Sequence, residues 1–361
     1  MDLLEHFNNQ QPKNSNFISR KYYLPQNANI NLYGVRGAGK TSLVLDYIEE
    51  EEIELESTLY IDIDSPHFMF NSLNIIDLQK YIEQNSIKVL ILDHYEQSTL
   101  PYFPNVEKLI VISRVKLNDT HLKAVELFPL DYEEFLAFET SHTQRGFNHF
   151  LRSGTLPVLA GGHKNNFQIM KTFFQSSFTS NEQKLLLILS QHNTKHLTTH
   201  QIYTFAKDNF KVSKDWLYKT IKEFSKEGLI YFIDDKYQKS GKKMILFDFA
   251  FAKFLTIGQP FIMQFDTMIA LTLIKHHIKV ETLGIHGYLT PKMELIIPAP
   301  FESEDSLWVK SQNKFALYKK HGITSVTIVT VTNSYEYNIE KLHFEAMPFD
   351  EWSILHNEEN N

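Results

Sequence analysis

Apolar residues recur along this chain with two different periods. Phe17 to Leu24 looks extended and leads into the run Ile30-Asn31-Leu32-Tyr33. Ser57 to Asp64 is a second strand candidate that ends in carboxylates. Lys88-Val89-Leu90-Ile91-Leu92-Asp93 and Lys108-Leu109-Ile110-Val111-Ile112-Ser113-Arg114 are apolar almost without interruption. Such runs fit central strands of a parallel sheet covered on both faces. Between them, Ser42 to Ile48 and Leu73 to Gln84 carry apolar residues at helical spacing. Strands alternating with helices predict an α/β domain whose ligand sits at the carboxyl ends of the strands. That places Asp93, Ser113 and Arg114 near the loop that follows Tyr33.

Beyond residue 126 the pattern turns helical. Asp131 is a good N-cap with Glu134 three positions on, a capping box opening an amphipathic helix. Asn181 to Gln191 and Thr199 to Phe210 predict two further helices. Ser213 caps another, with Trp216, Leu217, Ile221 and Phe224 inward and Gly228 stopping it. Leu229 to Asp234 and Met244 to Asp248 read as a hairpin around a lysine-rich turn, so residues 178–250 match a winged helix on their own pattern. The remainder reads as a last α/β unit. It has helices at Phe265 to His276 and Gln312 to His321, and strands at Lys279 to Leu283, Met293 to Ile297, Ser306 to Lys310 and Ser325 to Val331. At the other end, residues 1–27 hold a short helix candidate and a polar stretch, Asn8 to Asn14, that reads as linker.

The chemistry concentrates after the first apolar run. Gly34-Val35-Arg36-Gly37-Ala38-Gly39-Lys40-Thr41-Ser42 has the Walker A spacing in a strand–loop–helix context. Glycines let backbone N–H groups turn inward around phosphate oxygens, and the helix N-terminus adds its dipole. Lys40 supplies charge to the β- and γ-phosphates, and the Thr41 hydroxyl is placed to ligate Mg²⁺. Arg36, inside the loop, reads as pointing to solvent. Asp93 closes four apolar residues in the Walker B manner and would hold Mg²⁺ through water, opposite Thr41. The next position, where many hydrolysing P-loop proteins carry Glu, is His94. Glu96 substitutes if its loop turns inward, and a neutral imidazole is a second way to orient water. Without either, the site is a nucleotide-gated switch that hardly hydrolyses ATP. Ser113 stands where a "sensor 1" residue contacts the γ-phosphate. Arg114 is a phosphate sensor or a surface cation.

Composition narrows the field. With 361 residues and 43% hydrophobic content the chain has ample core for two or three domains. Its net charge of −7 argues against a general polycation, so any nucleic-acid role must come from a local patch. One exists: between Lys207 and Lys243 ten lysines face six acids, a net of +4. Lys214, Lys219 and Lys222, with Tyr218, would enter a major groove on the third helix, and Lys239, Lys242 and Lys243 would touch phosphates from the wing. The alternative is a winged helix used for protein packing or self-association, with lysines as its solvated face. No cysteine is present, which excludes disulfides and thiol chemistry and fits a reducing compartment. No leader or apolar span is apparent, and a cytoplasmic protein is expected. His192-x3-His196-x3-His200 invites a metal reading, but Asn193-Thr194-Lys195 and Thr198-Thr199 look like a turn that breaks the helical register.

Walker A, Walker B, Phe128-Pro129-Leu130-Asp131-Tyr132-Glu133-Glu134-Phe135 and Phe150-Leu151-Arg152-Ser153-Gly154-Thr155-Leu156-Pro157 occur in that order. In this respect the chain resembles prokaryotic AAA-superfamily ATPases of the archaeal type. Ser-Gly-Thr-Leu-Pro stands where that family often has Gly-Gly-hydrophobic-Pro. The resemblance implies an α/β fold with a P-loop NTPase, AAA-like parallel sheet core, a helical lid, a winged helix and a small C-terminal restriction-endonuclease-like domain. The corresponding segments are 1–27, 28–129, 130–177, 178–250 and 251–361. It also implies Mg·ATP as ligand, ATP hydrolysis, a DNA or protein partner, and Arg152 as a phosphate-sensing or merely exposed lid arginine. Nucleases of the PD-(D/E)XK type hold a divalent metal with an acid on one strand and Glu-x-Lys on the next. Glu294 and Trp308-Val309-Lys310 are the counterparts here, and the tryptophan in the carboxylate position predicts a degenerate, non-cutting module.

Overall fold

The computed structural model describes residues 2–10, 12, 17–139, 146–161, 165–258 and 260–358. Gln11, Lys13 and Asn14 of the expected linker lie outside the described residues, as do 140–145 and 162–164 of the expected lid. The chain divides into two compact units, Met1–Pro129 and Leu130–Asn361.

The first unit is a parallel sheet of five strands flanked by helices, the α/β core that the apolar runs predict. Helix α1 (Asp2–Asn9) precedes β1 (Ile30–Tyr33), α2 (Lys40–Glu50), β2 (Thr58–Asp62), α3 (Ile75–Gln84), β3 (Val89–Tyr95), β4 (Lys108–Ser113) and β5 (Lys123–Glu126). Their order across the sheet is β2-β3-β4-β1-β5. The chain therefore leaves β1 for the far edge, works back through β3 and β4, and crosses β1 to reach β5. Every neighbouring pair is parallel. β4 is buried at all six positions, as a strand covered on both faces must be. Leu59, Leu90, Leu92, Leu109 and Val111 share one cluster with Leu78, Tyr81 and Ile82 of α3 and with Leu4 and Phe7 of α1. Asn31, a polar residue within β1, is tolerated because its amide donates to the Val111 carbonyl and Ser113 Oγ and accepts from Leu117 N–H.

The second unit begins with α4 (Tyr132–Phe138), opened by the expected box: Asp131 accepts from Glu134 N–H and Glu134 from Asp131 N–H. Short helices α5 (Gly146–Ser153), α6 (Pro157–Ala160) and α7 (Asn166–Ser177) follow. Tyr132, Phe135 and Phe150 from the two stretches that carry the family resemblance pack edge-on to one another and to Phe249 and Phe349, so these stretches supply core. Gly154 is also accounted for. It has φ +75°, and a Cβ there would lie 2.5 Å from the Asp248 carboxylate. That buried carboxylate accepts from Thr155 Oγ1 and from the N–H groups of Thr155 and Phe251.

Next come α8 (Ser180–Gln191), β6 (His196–Leu197), α9 (Thr199–Asn209), α10 (Lys214–Glu227), β7 (Ile230–Ile233) and β8 (Lys242–Leu246), the strands forming an antiparallel sheet ordered β6-β8-β7. Ser213 caps α10 and Gly228, at φ +78°, ends it. Leu217, Ile221 and Phe224 are buried, whereas Trp216 is only partly so. After α11 (Phe249–Leu255) and α12 (Phe261–Lys275) a mixed six-stranded sheet closes the chain. Its elements are β9 (Glu281–Thr282), β10 (Tyr288–Leu289), β11 (Glu294–Pro298), α13 (Glu304–Lys320), β12 (Ser325–Thr330), β13 (Tyr335–Ile339), β14 (Leu342–Pro348) and α14 (Phe349–Glu358), in sheet order β13-β14-β12-β11-β10-β9. No helix among the described residues is long and apolar enough to cross a membrane.

One expectation is overturned here. Ser306 to Lys310 is not a strand but part of α13. Ser303 caps that helix, Glu304 and Asp305 suit its first turn, and Leu307, Ser311 and Tyr318 form its buried side. Trp308 and Val309 are 44% and 55% exposed, so the apolar triplet reflects exposure on a helix and not strand burial. Lys310 pairs with Glu302. Glu294 begins β11 and accepts from Thr327 Oγ1. The expected arrangement of Glu294 on one strand with Trp308-Val309-Lys310 on the next is therefore absent.

Candidate nucleotide site and the lysine face of α10

The loop between β1 and α2 is shaped by three glycines with positive φ: Gly34 (φ +147°), Gly37 (φ +82°) and Gly39 (φ +92°). Gly34 is the most constrained, because a Cβ would fall 2.2 Å from the Leu127 carbonyl oxygen just past β5. Gly39 is the N-cap of α2. Having no side chain, it caps none of the first-turn N–H groups, which keep their capacity for an anion. Val35 and Ala38 are buried. Arg20 buttresses the loop, donating to the Ala38 carbonyl at 3.0 Å and to the Phe128 carbonyl at 2.9 Å. No sequence pattern singles out Arg20. Lys40 Nζ donates to the carbonyls of Gly34 (2.7 Å) and Val35 (3.0 Å), which keeps its ammonium over the loop. Arg36 is half-buried, and Ser42 is exposed.

Asp93, at the end of the buried stretch of β3, is 1% exposed. Its Oδ2 accepts from Thr41 Oγ1 and from Tyr60 OH, each at 2.6 Å, and its Oδ1 accepts from the His94 N–H at 2.7 Å. Burial, reinforced by the Asp93 charge, pushes the Tyr60 phenol far above its ordinary range, so it stays a donor. Thr41 and Asp93 thus bring a hydroxyl and a carboxylate oxygen together at the start of α2. Hard oxygen donors of this kind suit Mg²⁺, which uses few protein ligands and completes its shell with water and phosphate. The residues present fit a Mg·nucleotide: loop amides, Lys40, Thr41 and Asp93 would hold it, and the cation would supply charge neutralisation at the phosphates.

The remaining candidates divide. His94 Nδ1 lies 2.8 Å from Asp62 Oδ1, a partner on β2 that no sequence motif marks. Glu96 is exposed, in a turn closed by its carbonyl and Thr99 N–H. Ser113 is buried, with its hydroxyl bonded to Asn31 Nδ2 (2.8 Å) and donating to the Val115 carbonyl (2.7 Å). Arg114 is exposed, and so is Arg152, in the second unit.

On the second unit the basic stretch sorts by burial. Lys214, Lys219 and Lys222 project from the exposed side of α10. Lys214 Nζ sits 5.5 Å from the centre of the Tyr218 ring, and Lys219 faces Glu223 at 3.7 Å. Lys239 is exposed, and Lys242 pairs with Asp234 at 2.9 Å. Lys243 departs from the expectation. It is 8% exposed, pairs with Asp266 at 2.7 Å and lies 4.4 Å from the Tyr288 ring centre. Alternation along β8 turns it inward, toward α12 and β10, where no phosphate could reach it. The three histidines also separate. His192 ends α8 and stacks on Phe205, His196 in β6 lies 2.9 Å from Thr282 Oγ1, and His200 is in α9. Among the described residues no group of three or more metal-binding side chains is assembled.

No family model matches the sequence, and no curated protein does. Several solved structures are similar in fold, weakly. The Aeropyrum pernix ORC1 protein in complex with DNA is 14% identical at a TM-score of 0.33, over 63% of this chain and 86% of that one. CDC6P from Pyrobaculum aerophilum is 12% identical at 0.20, over 60% and 83%. Drosophila ORC bound to DNA is 13% identical at 0.22, over 67% and 90%. Similarity at this level assigns no activity to the chain.

Proposed function

We propose that this chain is a Mg²⁺-dependent, ATP-binding P-loop ATPase that couples its nucleotide state to a DNA partner. The supporting observation is the convergence of Thr41 and Asp93 at the head of α2, beside a loop whose glycines and Lys40 suit a polyphosphate. In this reading 28–129 is the ATPase core, 130–177 a lid, and 178–250 a winged helix whose helix–strand–helix–helix–strand–strand order ends in the β7–β8 hairpin. ATP binding should then be measurably Mg²⁺-dependent. Thr41→Ala and Asp93→Asn should each remove that dependence and weaken ATP by on the order of tenfold, the worth of one charge-assisted contact. Equal affinities with Mg²⁺ and with chelator in the unaltered protein would defeat the reading. Tight binding without steady-state turnover would favour the nucleotide-gated switch, which His94 after Asp93 and the exposed Glu96 make a real rival.

For the DNA partner the relevant surface is α10 with Lys239, and no longer Lys243. Replacing Lys214, Lys219 and Lys222 by Ala should weaken duplex binding uniformly across sequences. It should also flatten the slope of log affinity against log salt by about 1 for each phosphate that is no longer neutralised. An unchanged slope would assign this face to protein packing.

A further inference from the structure

Asp62 and His94 lie beside the candidate Mg²⁺ site and belong to neither Walker motif. β2 and β3 pair in register, so that Asp62 is opposite Asp93. The ladder between β3 and β4 then slips, pairing Leu92 with Val111 but Tyr95 with Ser113. His94 occupies the slip with φ +54°. A residue with a side chain enters that left-handed region only where its surroundings hold it there, and such strain gathers at functional sites. A bulge re-aims side chains that a regular strand would send to alternate faces. Here it keeps Asp93 buried under Thr41 and leaves the His94 imidazole 43% exposed beside it, Nδ1 being 3.7 Å from Asp93 Oδ1. Asp62 completes the arrangement by taking the Nδ1 side at 2.8 Å. That hydrogen bond is also the main reason its carboxyl titrates below the usual range. In the neutral ring, with Nδ1–H donated to Asp62, Nε2 is the acceptor.

We propose that Asp62 and His94 form a positioning pair that orients the attacking water of ATP hydrolysis. This rests on the reading of Thr41 and Asp93 as the Mg·ATP site. The water oxygen bonds to the γ-phosphorus while the bond from phosphorus to the bridging oxygen breaks, its electron pair leaving with ADP. Both water hydrogens remain on the released phosphate as dihydrogen phosphate. Nε2 accepts a hydrogen bond from the water and directs it without taking its proton, and Asp62 acts only through the ring.

The test uses the full chain with His94→Gly, His94→Gln and Asp62→Asn. Glycine accepts φ +54° without strain, so the imidazole is removed and the backbone kept. ATP affinity, kcat and KM are measured on each, with nitrogen-15 shifts of the His94 ring in the nucleotide-free protein. The expected result has four parts. His94→Gly and Asp62→Asn lower kcat by on the order of 100-fold. ATP affinity stays within about twofold. His94→Gln, whose amide oxygen is an acceptor, retains more activity than His94→Gly. The ring shifts show hydrogen on Nδ1 in the unaltered protein and a mixture of tautomers in Asp62→Asn. Unchanged kcat in His94→Gly, a ring with hydrogen on Nε2, or ATP binding with no turnover in the unaltered protein would each overturn the pair. Failure of the unaltered protein to bind ATP would instead overturn the site reading on which it stands.

Discussion

Lys40→Ala is expected to weaken ATP binding by on the order of 100-fold while leaving the chain folded. Lys40 is the first residue of α2, and its ammonium lies over the carbonyls of Gly34 and Val35. A polyphosphate in the loop would meet that ammonium directly. Hydrogen bonds to charged groups contribute about 1.5–3 kcal/mol each, and the upper figure corresponds to roughly 100-fold. The fold should tolerate the change because the side chain is half-exposed and alanine is a good helix former. Calorimetric titration with Mg·ATP, beside a urea unfolding curve, separates the two quantities. Unchanged affinity would remove the P-loop reading, however well the sequence matches the motif. A shifted unfolding midpoint would mean that Lys40 holds the loop together, with weakened binding only a consequence.

Lys243→Ala is expected to lower the stability of the second unit by about 3 kcal/mol. Its side chain and that of Asp266 are 11% and 16% exposed, so removing the ammonium leaves a nearly buried carboxylate with Tyr288 OH as its remaining side-chain partner. Breaking one member of such a pair is far more damaging than its net contribution suggests, because the other charge keeps its desolvation cost. Loss of the ammonium above the Tyr288 ring adds to the effect. Lys242→Ala is the natural control. Its pairing with Asp234 is exposed and should be worth less than about 1 kcal/mol. Chemical unfolding of both variants decides the matter. Equal stabilities would return Lys243 to the exposed basic face, whereas the expected difference removes it from any DNA contact.

Periodicity exposes most of the fold because burial on both faces leaves a strong mark. β3 and β4 are apolar almost throughout, and their boundaries fall within two residues of those expected. Caps are equally legible: Asp131, Ser213 and Gly228 act through local hydrogen bonds that neighbouring residues suffice to define. The failures arise where a short apolar triplet has no local arbiter. Leu307-Trp308-Val309 fits a strand as well as a helix, and only the spacing of Leu307, Ser311 and Tyr318 over about three turns decides for the helix.

The candidate site is half legible. The loop and Lys40, Thr41 and Asp93 stand out because phosphate and Mg²⁺ chemistry imposes residue types at fixed spacing. Arg20, Tyr60 and Asp62 carry no such spacing. Tyr60 and Asp62 reach their partners from the neighbouring strand, and Arg20 reaches the loop from 18 residues before Ala38.

By itself, then, the sequence determined the α/β character of the first unit, its helix caps and the phosphate-loop chemistry, since these depend on period, on nearest neighbours and on a contiguous motif. Tertiary structure alone decided that β2 lies against β3 and brings Asp62 to His94, that the slip at His94 leaves its imidazole exposed beside the buried Asp93, and that Lys243 faces Asp266 and not solvent. Strand order and register place residues distant in sequence within hydrogen-bonding reach. No local pattern encodes that order, because it follows from which buried faces can be covered together.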